Sequence, residues 1–222
     1  MSSSFWLGII QQGLLFGVMG LGIYLTFRVL NYADLSVEGT FTLGAAVVCT
    51  TIIKGFDPLV GTILAVIAGA LAGTITGILH TRFKITPLLS GILTMTALYS
   101  INLRIMGKAN ISLLRQETLI TNIQGWGLDK NSAVLVLGLL TAALVLIGLN
   151  YFLKTEIGLA LRATGDNEQM IRSLGVNTDL AKVFGLALSN ALVALSGALI
   201  AQLNNFADAN MGLGMLVIGL AS

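Results

Sequence analysis

The sequence predicts an all-α fold: a polytopic transmembrane helical bundle with broken or re-entrant helices. Three observations carry that reading. Hydrophobic residues make up 55% of the 222 positions and charged residues 10%, with a mean hydropathy of +0.90. Soluble domains carry roughly 25% charged residues, so this chain cannot cover itself with a water-facing surface. Uncharged apolar runs recur along it, of the roughly 20 residues that cross a ~30 Å hydrocarbon core. Glycine is abundant, at 26 residues, which suits helices packed closely in lipid. Residues 1–222 read as a single transmembrane domain. The net charge of +2 gives no reason to expect a nucleic-acid partner, and the lone Cys49 cannot form an intrachain disulfide.

Residues 5–27 form the first span. They follow no basic segment and are too long for the core of a secretory leader, so they are expected to stay as a span. Gln11 and Gln12 are strongly polar and need partners in lipid, either other helices or a water-filled path. Gly13 and Gly17 make a GxxxG that reads as helix packing. In the next stretch Asp34 and Glu38 bracket Ser36, and the apolar run 41–53 is too short to cross alone. Three readings stand. A helix starts near Ser36 and carries Glu38 into the membrane, or a half-helix is entered by irregular backbone beside a path, or Asp34 and Glu38 simply cap a helix at the interface.

Residues 54–57 form a turn, and Pro58 suits a first helical position. In the third span, 59–79, Gly69, Gly73 and Gly77 form a strip of close approach that is assigned to internal packing. His80 sits at that helix's C-terminus, without the Cys, Asp or Glu neighbours of a metal site. Pro87 opens the fourth span, whose far-end Asn102 and Arg104 are expected to reach the interface by snorkelling. In the connection 106–130, Ile111, Leu113, Leu114, Leu119 and Ile120 suggest a short amphipathic helix lying on the membrane, with Trp126 as its anchor. The fifth and sixth spans are 133–153 and 183–203, the latter broken by Ser189, Ser196 and Gly197. Polar Asn204, Asn205, Asp208 and Asn210 follow, then an apolar run, 211–221, too short to span.

The long polar interruption, 154–182, has structure of its own. Asp166 or Asn167 can cap a short helix, Asp166 and Gln169 have capping-box spacing, and Gly175 can stop it. Met170, Ile171 and Leu174 form its apolar face, with Glu168 and Arg172 elsewhere. A two-turn amphipathic helix held between two spans is suited to press into a groove on another protein.

The run Gly158, Ala160, Leu161, Arg162, Ala163, Gly165, Asp166, Asn167, then Gly175, Val176 and Asn177, resembles the cytoplasmic coupling segment of the permeases that import ribose-type sugars and branched-chain amino acids with ATP-binding-cassette ATPases. YADLSVEGTFTLGAA resembles a second stretch of that family, a broken span beside the translocation path. Gln169, Met170 and Ile171 are bulkier than the family's small residues. The resemblance implies contact with the ATPase by Arg162, Gly165, Asp166, Asn167, Glu168, Met170, Ile171, Leu174 and Gly175. It implies a path near Gln11, Gln12, Asp34, Ser36, Glu38, Asn204, Asn205 and Asp208. It further implies cassette ATPase subunits, a second permease copy or paralogue, an extracytoplasmic binding protein, surrounding lipid and a bacterial cytoplasmic (inner) membrane. The family continues past the glycine-rich run, so the chain is expected to be incomplete at its C-terminus.

No phosphate-binding Gly-x-x-x-x-Gly-Lys-[Ser/Thr] loop and no nucleophile–base arrangement occurs. The chain is therefore expected to be a transport subunit rather than an enzyme, with ATP and magnesium held by the partner. The solute is a small polar molecule. An amino acid is preferred, since the chain is similar to a subgroup associated with aromatic amino acids, while sugars and nucleosides are compatible. The alternatives are an ion-coupled secondary transporter using Asp34 and Glu38, and a structural subunit. With the coupling segment inside, Arg28, Arg82, Lys84, Lys154, Arg162, Arg172 and Lys182 fall inside; Lys54, Arg104, Lys108, Arg115 and Lys130 fall outside. The N-terminus is then outside if the stretch 34–53 crosses fully, and inside if it is re-entrant.

Overall fold

The computed structural model describes residues 3–114, 116–125, 127 and 129–221. Arg115 and the expected anchor Trp126 lie outside the described residues. The apolar runs form α1 (Ser3–Tyr24), extended by a π-helical turn at Leu25–Val29, then α2 (Val37–Ile53), α3 (Pro58–Thr81) and α4 (Pro87–Met106). After β1 (Asn110–Ser112) and α5 (Leu119–Gln124) come α6 (Lys130–Phe152), α7 (Glu156–Asp166), α8 (Glu168–Ser173) and α9 (Thr178–Asn204). The described chain closes with β2 (Phe206–Asp208) and α10 (Met215–Ala221). Five helices are long and apolar enough to cross a membrane among the described residues, and α2 is a shorter apolar helix. Pro58 and Pro87 open α3 and α4, where a missing N–H costs nothing. Asp57 adds a cap by accepting from the Leu59 N–H at 2.7 Å.

The bundle is built around α9, and small residues are what allow it. A Cβ on Gly69 or Gly73 would overlap the backbone carbonyls of Asn190 and Leu186, and one on Gly77 would meet the Val183 Cα at 2.8 Å. The expected strip on α3 is therefore an internal seam. From α9 itself, a Cβ on Gly197 would overlap the Phe41 carbonyl. Ser189 and Ser196 donate to the carbonyls of Gly22 and Leu15 on α1, each at 2.7 Å. In contrast, a Cβ on Gly13 or Gly17 meets nothing within 4 Å. The GxxxG of α1 makes no helix seam among the described residues, so the packing assigned to it from sequence is corrected.

The second span is broken. Asn31 takes a left-handed backbone (φ +52°) after the π turn, and residues 31–34 are neither helix nor strand. Tyr32 bonds Ser90 near the start of α4, while Ser36 already lies beside Asn190. Asn190 is about 18 Å along α9 at 1.5 Å per residue. Irregular chain thus covers one part of the crossing, on the side of residues 154–182, and α2, about 26 Å long, the other. Such backbone is tolerated at membrane depth because protein encloses it. The start of α1 lies near α6, where Gln11 Nε2 donates to the Asn131 carbonyl at 2.8 Å. Its far end lies against α7, where a Cβ on Gly165 would overlap the Val29 carbonyl. The stretch therefore crosses the bundle, which puts the N-terminal end of α1 at the end opposite residues 154–182.

The connection 106–130 differs from its sequence reading. Ile111 and Leu113 are buried rather than laid on a membrane surface, because β1 pairs antiparallel with β2, Ile111 opposite Ala207. Only α5 is helical there, closed by a reciprocal cap between Thr118 and Thr121. Beyond β2 the chain folds back into the bundle. The Gly212 N–H donates to Thr42 Oγ1 and the Gly214 N–H to Glu38 Oε1, both at 3.0 Å.

Candidate functional site

At the break, a buried carboxylate is fully occupied. Asp34 Oδ1 accepts from the Ser36 N–H at 2.8 Å and the Ser36 hydroxyl at 2.6 Å, and its Oδ2 accepts from Asn190 Nδ2 at 2.7 Å. Asn190 also donates to the Leu186 carbonyl one turn back, at 3.0 Å. All three side chains are buried, and each finds the partners that burial demands. Asp34 is thus a clamp between the broken span and α9. Neither Asp34 nor Glu38 caps α2 from outside: Ser36 is the N-cap residue, and it makes no side-chain cap bond.

Glu38 sits in the first turn of α2, where the helix dipole favours a carboxylate. It borders a cavity of about 300 Å³ together with Thr42, Tyr99, Asn102 and Asn210. The other expected path residues lie elsewhere. Gln11 is buried in the α1–α6 contact, and Gln12 is exposed on α1. Asn204 is exposed at the end of α9, Asn205 takes a left-handed turn (φ +59°), and Asp208 lies in β2 opposite Asn110. The structure therefore joins Asp34, Ser36 and Glu38 near the break and sets Gln11 apart from them, while Asp208 accepts from the N–H of Asn210, which lines the same cavity as Glu38. Asn102 does not snorkel: it is 1% exposed and donates to the Gly39 carbonyl at 3.2 Å. Sequence reasoning passed over Asn190 and Gln202 and placed Asn102 at the interface. The available signal was an amide inside an apolar run, which must find a partner within the protein.

At the other end, Asn167 divides two helices. Its N–H donates to the Ala163 carbonyl to close α7, while its Oδ1 accepts from the Met170 N–H at 3.0 Å to open α8. Asn167 is therefore the cap, and the Asp166–Gln169 capping box is not formed, because Asp166 is still inside α7. Gly175 ends the unit with φ +86°. Gly165 packs on the end of α1, Arg162 and Asp166 are exposed, and Ile171 is half-buried. Met170 and Leu174 stand out at 57% and 68% exposure.

Polar contacts hold α8 on α9. Glu168 accepts from Lys182 Nζ at 2.6 Å, and Arg172 reaches Asp179 at 3.0 Å and Thr178 Oγ1 at 3.0 Å. The Lys182 bond is the main cause that lowers the Glu168 carboxyl below its ordinary range, ahead of the opposing effect of burial. Lys182 also lies 3.5 Å from His80 Nε2. His80 Nδ1 is 2.8 Å from the Ile85 carbonyl, which fixes it as the protonated nitrogen and leaves Nε2 to accept. The His80 ring packs edge-on against Tyr32, at 5.1 Å between centroids. Tyr32 is two residues from Asp34, so a continuous set of contacts runs from α8 to the break.

Residues 5–222 match the profile of a family described as the permease component of branched-chain amino acid transport systems. A tyrosine transport system permease protein of Clostridioides difficile (strain R20291) is 45% identical over 216 residues, 97% of this chain and 70% of that protein. The uncharacterized protein RP368 of Rickettsia prowazekii (strain Madrid E) is 40% identical over 214 residues, 96% of this chain and 73% of its own. An autoinducer 2 import system permease protein LsrC of Yersinia pestis (strain Pestoides F) is 28% identical over 189 residues, 85% of this chain and 52% of that protein. No solved structure matches.

Proposed function

Because the chain belongs to the permease family of branched-chain amino acid transport systems, we propose that it forms the membrane path of an ATP-driven importer for an amino acid, with tyrosine the first solute to test. The tyrosine transport permease that is 45% identical supports that choice. The observation that carries the mechanism is α8: a short helix whose apolar Met170 and Leu174 face outward, while Glu168 and Arg172 tie its other side to α9. Such a face suits a groove on a cassette ATPase.

Two ATPase subunits act on two permease chains, this one with a second copy or a paralogue, in a bacterial inner membrane. ATP and magnesium reside in the ATPases, and an extracytoplasmic binding protein delivers the solute near β1 and β2. Closure of the ATPase pair carries α8. Because α8 is clamped to the start of α9, the helix tilts with it. Asn190, about 12 Å farther along α9 than Lys182, then pulls on Asp34 and reshapes the break. The three donors on Asp34, which engage both of its oxygens, support a mechanical role for this carboxylate over a coupling-ion site.

The test is affinity purification of the tagged chain in mild detergent, with mass identification of what stays bound. A cassette ATPase retained by the wild type and lost with Met170→Asp/Leu174→Asp is expected. An ATPase-free oligomer that takes up solute on an ion gradient alone would contradict the proposal.

A further inference from the structure

Two irregular stretches, the start of α2 behind the break and the turn after β2, meet the continuous helix α4 at one half-open cavity. The first turn of α2 contributes Glu38 and Thr42, α4 contributes Met95, Tyr99 and Asn102, and the turn after β2 contributes Asn210 and Leu213. Its depth follows from the packing. Gly39 lies against Leu98, about 17 Å along α4 from Pro87, which places the cavity near the middle of the bundle's height. Discontinuous helices that meet at the midplane are a recurrent architecture for solute sites in transporters. At about 300 Å³ the cavity is large enough for a small organic molecule.

Its walls are mainly apolar, and its polar lining sets the Glu38 carboxylate and Asn102 among the hydroxyls of Thr42, Thr96 and Tyr99 and the amide of Asn210. Glu38 Oε1 is oriented by the Gly214 N–H, while Oε2 makes no hydrogen bond among the described residues. Asn102 uses its Nδ2 on the Gly39 carbonyl, and its Oδ1 is the one buried side-chain oxygen or nitrogen without a partner among the described residues. A buried acceptor left without a donor is costly. A carboxylate and an unsatisfied amide oxygen in the lining of one cavity, with methionine, leucine and a tyrosine ring among its other walls, match a ligand with a cationic donor at one end and an apolar body.

We propose that this cavity is a solute subsite for a small amphipathic amine: the ammonium group sits against Glu38 and Asn102, and an apolar or aromatic body lies against Met95, Tyr99 and Leu213. The assignment rests on the importer reading for its place on a transport path. Its chemistry also predicts exclusion. A solute with the same ring and a carboxylate but no ammonium meets Glu38 as a like charge and leaves Asn102 without a donor.

The experiment uses the purified permease–ATPase complex without binding protein. Tritiated tyramine is the probe, and 3-(4-hydroxyphenyl)propionate, which lacks the ammonium, is the comparison competitor. Tyramine should bind the wild type, and unlabelled L-tyrosine, but not the propionate, should displace it. Glu38→Gln should weaken tyramine binding about ten- to a hundredfold, the range for a hydrogen bond to a charged group. Thr96→Trp fills the cavity from α4 without altering either acceptor, and should weaken it independently. That pattern upholds the subsite whatever solute the complex carries. Absent tyramine binding by the wild type, or equal binding by both variants, would overturn it. Tyrosine uptake by the same complex would then still leave the importer reading intact.

Discussion

Asn190 donates from Nδ2 to Asp34 Oδ2 across 2.7 Å, and the bond joins the middle of α9 to the break in the second span. Neither group has water to fall back on, since both side chains are fully buried. Asn190→Leu keeps the volume and removes the donor. It should destabilise the detergent-solubilised protein by about 1–3 kcal/mol, the cost of a buried acceptor left short of a partner, seen as a lowered melting temperature. An unchanged melt would mean that the bond carries no stability.

The glycines of α1 and α3 should respond in opposite ways. Gly73→Ala places a methyl group onto the backbone of α9, where overpacking costs about 1–3 kcal/mol. Gly13→Ala meets open space and should change stability by less than about 0.5 kcal/mol. Parallel thermal melts distinguish the two, and equal effects would contradict the seam assigned to α3.

Asn167 and Gly175 mark the ends of α8 by different chemistry, a side-chain cap and a left-handed backbone. Asn167→Ala should cost about 1 kcal/mol locally, and Gly175→Ala a similar amount through backbone strain. Hydrogen exchange of residues 168–174 should accelerate several-fold in each variant while α9 keeps its protection. Uniform acceleration of the whole bundle would mean that α8 does not open as its own unit.

The Glu168–Lys182 bond should be acid-labile. Glu168 is held below its ordinary pKa chiefly by that bond. A depressed carboxyl contributes stability that is fully present above its unfolded value, near about 4.3, and is lost as the pH falls through the folded value. A spin label at Met170 should therefore gain mobility as the pH drops below about 4. In Glu168→Gln the same label should be mobile already at neutral pH and show no acid step. An acid step of equal size in that variant would assign it to another group.

Hydropathy made the helical bundle legible, because span length and apolar composition follow directly from bilayer thickness. Residues 34–53 allowed a break among other readings, since an apolar run too short to cross can be completed by irregular backbone or by a helix that starts earlier. The pairing of Asn110–Ser112 with Phe206–Asp208 was not legible. Three-residue strands carry no readable period, and their partners lie far apart in the chain. Within the site, Asp34, Ser36 and Glu38 stood out as polar groups beside an apolar run. Asn190 and Gln202 were hidden by the same rule in reverse: a single amide barely lowers the hydropathy of a long span, although burial makes it decisive. Helix α7 was also missed, because its caps, Thr155 and Asn167, are ordinary polar residues within a polar stretch.

The central claim is that α9 transmits the movement of α8 to the break through Asn190 and Asp34. Its most direct test is the number of tyrosine molecules imported per ATP hydrolysed by the reconstituted complex, for wild type and Asn190→Leu, at a temperature well below both melts. The account predicts ATP hydrolysis near the wild-type rate and a ratio lowered about tenfold, within the usual range of coupling between sites. A ratio equal to that of the wild type would contradict it.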